Sequence, residues 1–326
     1  MIAETRRRPP GFFGGDSRSD SSDEPVSLWR FVAPRFWRSW LLILWLKLAA
    51  ALPWRFSLGL HRRFGRFLGR RSRSARRLVD DNLARCFPEV DAGAREALAT
   101  EFFGNMGAII AELALAWFGP RPLLRRLFAV EGVENLERAL AGGRGVILCA
   151  GHFTPIELAS VAVADYAPRY ALLFNKRRSR LLSEFQRRAR ARYSDAAFEK
   201  HNLRAMLRSL RENSVVWFSA DEAHTGKSSA LLPFFGEPAL THTSLSRLAK
   251  ISGAALVPLF FCRLDDGSGY RLRFEPALEN FPSDDVVADT LRLITVLEGQ
   301  IRECPSQYFW KQKRFRRRRD EPDQAA

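Results

Sequence analysis

The sequence predicts an α/β protein built on a parallel or mixed central sheet. Short apolar runs bounded by turn residues recur through residues 145–274, and helix-length segments separate them. The composition agrees. With 326 residues, 46% hydrophobic and 27% charged, the chain cannot be largely disordered or fibrous, and it suffices for one large domain or two modest ones.

Taken in order, residues 1–26 are rich in Pro, Gly, Ser and Asp and are expected to form a disordered tail. Residues 40–54 are apolar apart from Lys47 and flanked by arginines, with Trp37, Trp40, Trp45 and Trp54 at or near the edges. As a helix this run would be about 22 Å long, short of the ~30 Å hydrocarbon core. We expect a membrane-embedded or interfacial anchor, spanning or lying flat, with a buried core helix as the alternative. A secretory signal is not expected, because the run begins 40 residues in and lacks a clear small-residue cleavage site. Residues 61–77 place eight arginines among Phe64, Phe67 and Leu68, a basic amphipathic stretch suited to anionic lipid. Residues 27–78 thus form an anchor and basic segment, 79–310 the main domain, and 311–326 a basic tail.

Within the main domain we expect helix over residues 75–127 with a turn at 86–88. Strands follow at 145–150, 170–174, 214–219, 255–263 and 270–274. Helices fall at 155–165, 181–193, 202–211 and 285–302. No internal repeat is evident.

The formal charge is +16, and it is uneven. From Pro25 to Val79 there are thirteen Lys or Arg and no acid, and from Lys311 to Arg319 seven and no acid, so the rest is close to neutral. Such flanks meet an anionic partner: nucleic acid, phospholipid headgroups or an acidic protein. Nucleic-acid binding would call for aromatic platforms on a basic sheet. These arginines instead border an apolar, tryptophan-edged run, which favours anionic membrane lipid over nucleic acid. Cys86, Cys149, Cys262 and Cys304 are far apart in sequence, so neither a zinc knuckle nor a disulfide framework is indicated, and reduced thiols facing the cytoplasm are expected. His61, His201, His224 and His242 lack metal-ligand spacing; no metal and no cofactor is expected.

The sharpest local feature is Gly151-His152-Phe153-Thr154-Pro155-Ile156-Glu157, directly after the 145–150 strand. Ligands of α/β sheets bind at the carboxyl ends of strands, so His152 is placed to act as a general base. Glu157, in the first turn of the next helix, could reach back to fix the ring. A purely structural account also exists, because Thr154, Pro155 and Glu157 match a capping box. Cys149 is the rival nucleophile, and its apolar strand assigns it to the core. Residues 176–192 carry eight Lys or Arg opposed by Glu184 alone, a solvated helix face or a landing surface for an acidic protein or phosphates.

Further motifs give this context. They are Trp217-Phe218-Ser219-Ala220-Asp221-Glu222, Leu232-Pro233-Phe234-Phe235-Gly236, Asn82-Leu83 with Cys86-Phe87-Pro88-Glu89, and Gln307-Tyr308-Phe309-Trp310 with Arg314-Phe315. Together they resemble the late acyltransferases of lipid A biosynthesis, the lauroyl/myristoyl transferase family, over about residues 29–319. The resemblance implies a glycerolipid-acyltransferase-like αβα sandwich with an amino-terminal membrane-anchor helix. It implies transfer of a fatty acyl chain from acyl carrier protein to a hydroxyl of a lipid A precursor, at the cytoplasmic face of the inner membrane. His152 and Glu157 match the family's catalytic pair, and Asp221 its aspartate at a strand end. Where the family has an arginine near the second strand this chain has Asn175, so Lys176, Arg177 and Arg180 are the candidate substrate contacts. No Ser or Cys stands in a nucleophile elbow, so direct attack by the acceptor is expected. The alternatives are another lysophospholipid or glycolipid acceptor, and a non-catalytic basic protein that binds membrane or nucleic acid.

Overall fold

The computed structural model describes residues 27–174, 179–199, 202–219, 221, 226 and 228–315. Helices α1 (Trp37–Ala51) and α2 (Trp54–Arg71) are separated by Pro53, which cannot continue a helix from Leu52. α3 (Arg73–Cys86) follows, and α4 (Ala92–Phe118) begins on Asp91, whose carboxylate caps it by accepting the Ala94 N–H at 3.0 Å. Then come α5 (Arg121–Leu127), β1 (Phe128–Glu131), α6 (Val133–Ala141), β2 (Val146–Ala150), α7 (Ile156–Val163), β3 (Tyr170–Phe174) and α8 (Arg180–Arg190). β4 (Ala196–Glu199), α9 (Leu203–Arg211), β5 (Val215–Ser219), the hairpin β6 (Ser229–Phe234) and β7 (Glu237–His242), and α10 (Ser244–Ser252) follow. The last elements are β8 (Ala255–Arg263), β9 (Tyr270–Phe274) and α11 (Val286–Glu303).

The expected α/β class with a mixed sheet is what forms. The strand order is β1-β9-β8-β2-β5-β3-β4, parallel except where β9 returns antiparallel beside β8. Alternate residues of β2 serve opposite faces. Val146, Leu148 and Ala150 join the core with α4 and α7, while Ile147 joins Met206, Leu210, Leu245 and Leu248 of α9 and α10. Helices therefore cover both faces of the sheet.

α4 is the scaffold of the amino-terminal half, and α2 lies along it in backbone contact. A Cβ on Gly65 would strike the backbone of Phe103 and Gly107, and one on Gly107 would strike His61. Small residues permit that approach, and α2 is consequently turned inside out. It buries Ser57, Leu58, His61, Gly65 and Gly69 and exposes Phe56, Leu60, Phe64, Phe67 and Leu68. α1 is half-packed, burying Ile43, Leu46 and Ala49 while Leu41, Leu44, Trp45 and Leu48 face outward. Among the described residues α4 is the one helix long and apolar enough to cross a membrane, and 61% of its apolar window is buried inside the protein. The boundary expected at residue 78/79 falls inside α3, whose Val79 and Leu83 belong to the main core.

A buried polar clamp ties α4 to the sheet. Arg263, ending β8, pairs with Glu112 and bonds Asn105, both on α4, and the Tyr270 hydroxyl donates to Glu112 at 3.1 Å. The Gln307 side chain bonds the Arg263 backbone at both N–H and C=O, each at 2.8 Å. The segment after α11 is thereby fixed beside the carboxyl end of β2.

Candidate active site

The parallel register of β2 and β5 sets Ala150 opposite Ser219. Each strand ends there, and two residues further on His152 and Asp221 meet. His152 Nδ1 lies 2.5 Å from Asp221 Oδ1, and the His152 backbone N–H donates to Oδ2 at 2.8 Å. Asp221 is buried and the His152 side chain is 31% exposed. The loop is held from the other side as well. Thr154 N–H donates to Gln307 O at 2.8 Å, Phe309 N–H to His152 O at 2.9 Å, and Phe153 bridges Tyr308. Under the loop, Gly151 packs closely on α11: a Cβ there would lie 2.5 Å from Leu297 Cδ1, so a larger residue would make that side chain shift.

Burial alone would push the Asp221 carboxyl up. The positive charge available on His152, hydrogen bonds from its ring and backbone N–H, and one from the Tyr308 hydroxyl outweigh burial and hold it below the usual carboxylate range. Burial pushes the Tyr308 phenol well above its ordinary value, so it stays a donor, and its oxygen accepts from Gln312 Nε2 at 2.6 Å. An ionised carboxylate only accepts, so Nδ1 carries the ring proton and Nε2 is the basic nitrogen. This gives an oriented base at the carboxyl end of two parallel strands, the part list for activating a hydroxyl.

The ring nitrogen Nδ1 is held by Asp221. Glu157 is the second residue of α7 and forms a bidentate pair with Arg190 of α8 at 2.7 and 2.9 Å, with Tyr193 and Trp117 donating at 3.3 and 3.4 Å. The capping box does not form. The helix is capped by Pro155 without a side-chain bond, and the buried Thr154 Oγ1 has no partner. Cys149 lines a cavity beside the loop, and burial pushes its thiol up to about 12, so it is a poor nucleophile at neutral pH.

Much of the basic run at 176–192 turns inward. Arg187 and Arg188 share the buried Glu184, Arg190 takes Glu157, and Arg192 donates to Trp117 O at 2.6 Å. Arg180 is exposed at the start of α8, whereas Lys176 and Arg177 lie outside the described residues. Among the described residues no cluster of three His, Cys, Asp or Glu could hold a metal ion. Sequence reasoning missed the contributions of Arg190, Tyr193 and Tyr308. Arg190 lay in the basic run at 176–192 and Tyr308 in the Gln307–Trp310 motif, whereas Tyr193 carried no signal.

The family described as bacterial lipid A biosynthesis acyltransferase matches residues 25–317. The lipid A biosynthesis palmitoleoyltransferase of Escherichia coli (strain K12) is 34% identical over 295 residues, covering 88% of this chain and 94% of that protein. The lipid A biosynthesis lauroyltransferase of the same organism is 32% identical over 290 residues, covering 87% and 93%. Among solved structures, the 1-acyl-sn-glycerophosphate acyltransferase of Thermotoga maritima aligns with a TM-score of 0.36 at 13% identity, covering 84% of this chain and 99% of that one. The chain is therefore an acyltransferase and belongs to the bacterial lipid A biosynthesis acyltransferase family.

Proposed function

We propose that the protein is a membrane-associated O-acyltransferase that moves a fatty acyl chain from acyl carrier protein to a hydroxyl of a lipid A precursor. His152 Nε2 takes the hydroxyl proton as the acceptor oxygen attacks the thioester carbonyl. Asp221 holds the ring and stabilises the imidazolium that forms. Collapse of the tetrahedral intermediate breaks the C–S bond, and the departing thiolate regains the proton from His152. The observation that carries this is the 2.5 Å contact between His152 Nδ1 and Asp221 at the open ends of β2 and β5. Glu157 acts at one remove, tying the start of α7 to α8 through Arg190.

Membrane association is supported by the exposed apolar faces of α1 and α2. Exposed Leu44, Trp45, Leu48, Phe56, Phe64 and Phe67 share these helices and their flanks with exposed Arg55, Arg63, Arg70 and Arg71, a pairing that fits an anionic bilayer surface. Lys176, Arg177 and Arg180 are proposed contacts for acceptor phosphates or for the acidic carrier protein. The sequence of the basic run supports this, and a carrier-protein donor would be met on the cytoplasmic side of the inner membrane.

Mass spectrometry of membrane lipids from cells with and without the protein tests the reaction. A lipid A species that gains one acyl ester only when the protein is present is the expected result. A gain on a lysophospholipid or another glycolipid would redirect the acceptor, and no gain on any lipid would remove the reaction. The full chain should also partition to anionic vesicles more strongly than to duplex DNA across a salt series.

A further inference from the structure

Helix α9 reads Leu-Arg-Ala-Met-Leu-Arg-Ser-Leu-Arg, three arginines and no acid. At 3.6 residues per turn, Arg204, Arg208 and Arg211 fall within about 60° of one another. Met206 and Leu210, on the opposite side of the helix, are buried against the sheet with Ile147 and Val216. All three arginines are exposed, and among the described residues none of their guanidinium groups has a hydrogen-bond or ion-pair partner. They border a surface hollow with Leu207 and Glu212, and Leu203 stands 45% exposed at the start of the same helix. Glu212 is already answered by Arg169 at 3.5 Å. Arg247 of α10, the helix packed beside α9, is exposed and unpaired as well.

The arginines of α8 are treated differently. Arg187 and Arg188 share Glu184 and Arg190 takes Glu157, so the fold itself neutralises them. On α9 the like charges at i and i+4 repel, and no described acid offsets them. An anionic surface would relieve that repulsion, and the position of the helix selects which kind. α9 packs on the sheet face opposite α4, whereas α1 and α2, with their exposed apolar sides, pack on α4. The stripe therefore lies across the sheet from the lipid-facing helices. β3, β4 and β5 are parallel, so α9, which follows β4, starts at the carboxyl edge where His152 and Asp221 meet and runs back along β5. We propose that α9 is the docking surface for an acidic protein that delivers the acyl thioester. Arg204, Arg208 and Arg211 pair with its carboxylates, and Leu203 and Leu207 supply the apolar contact. This rests on the acyltransferase reading above, whose carrier-protein donor is that partner. Nine residues of helix are only about 13 Å long. The contact is accordingly small, as suits a partner that must leave after each turnover.

The test uses the full chain in vesicles, with lauroyl-acyl carrier protein as donor and a lipid A precursor as acceptor. Arg204→Glu, Arg208→Glu and Arg211→Glu together should raise KM for the donor at least about tenfold and hold kcat within about twofold, because each pair is weak but reversed charges repel. Replacing the same three by Lys keeps the charge and should hold KM within about threefold of wild type. Wild-type KM should climb as salt is raised, while that of the Glu variant should not. Arg126→Glu, on α5 across the sheet, makes a charge reversal elsewhere and should leave KM alone. An unchanged KM in the Glu variant, or an equal rise in Arg126→Glu, would overturn the proposal. So would a fall in partition of the Glu variant to anionic vesicles, since the stripe would then face lipid. Absence of any ester product with wild type would instead strike the acyltransferase reading. Binding of unacylated carrier protein, weakened by the Glu triple and kept by the Lys triple, would still judge α9.

Discussion

Asp221 and Glu112 are both sealed from solvent beside a tyrosine hydroxyl and a nitrogen base, yet they are partnered differently. Both Asp221 oxygens are taken by donors, and the carboxyl stays below its usual range despite burial. Glu112 gives Oε1 to Arg263 and Tyr270, its Oε2 has no partner, and burial pushes its carboxyl up. The decisive difference lies in the base each acid serves. Arg263 is 2% exposed and a guanidinium does not give up its proton. The His152 ring is 31% exposed, and an imidazole exchanges its proton near neutral pH. Burial of charge therefore does not mark a working site, whereas a buried acid steering an accessible, titratable partner does.

The largest effect that would sharpen this contrast is at Asp221. Asp221→Asn should lower the initial rate of acyl transfer by about 10³-fold, because an amide can hold the ring in the wrong tautomer. A rate within about threefold of wild type would erase the distinction between the two acids. Glu112→Gln should act on the other axis. Leaving Arg263 charged and buried without its counter-charge should cost about 3 kcal/mol of stability in denaturant melts, while the rate per folded molecule stays at wild type. Lost turnover at full stability would make the clamp part of the site.

The smallest effect is on pH. The folded Asp221 carboxyl titrates below its ordinary 3.8, so its contribution to stability is complete above that value and is lost as pH falls through the lower folded one. The difference in melting temperature between wild type and Asp221→Asn should be fully present just above about pH 4 and shrink below it. A difference that grew with acid would show that the carboxyl is raised in the fold.

The sequence made some of this legible and hid the rest, for physical reasons. Strands at 170–174, 255–263 and 270–274 lie where their apolar runs put them, because those runs are short, bounded by turn residues and buried. β4 has the composition Ala-Ala-Phe-Glu and becomes a strand only by pairing with β3. The β6–β7 hairpin turns through Phe235 and Gly236 at φ of 52° and 80°, and a phenylalanine there carries no turn signal. His152, Glu157 and Asp221 were each legible as candidates, but their pairing was not. Glu157 was chosen for its nearness in sequence, whereas the true Nδ1 partner is 69 residues away and arrives through the β2–β5 register. α2 presents outward the arginines and phenylalanines that its sequence offered to a lipid surface, but its glycine stripe, matched to Gly107 of α4, is what decides which side faces in, and that needs the partner helix to be seen.

If Asp221 works only through His152, the two cannot be lost twice. Initial rates of acyl transfer for wild type, His152→Ala, Asp221→Asn and the double variant measure this directly. The double variant should be no slower than His152→Ala alone, as expected of residues acting as one unit. Multiplying losses, with the double variant slower than either parent by the product of their effects, would contradict the shared role of this imidazole and carboxylate.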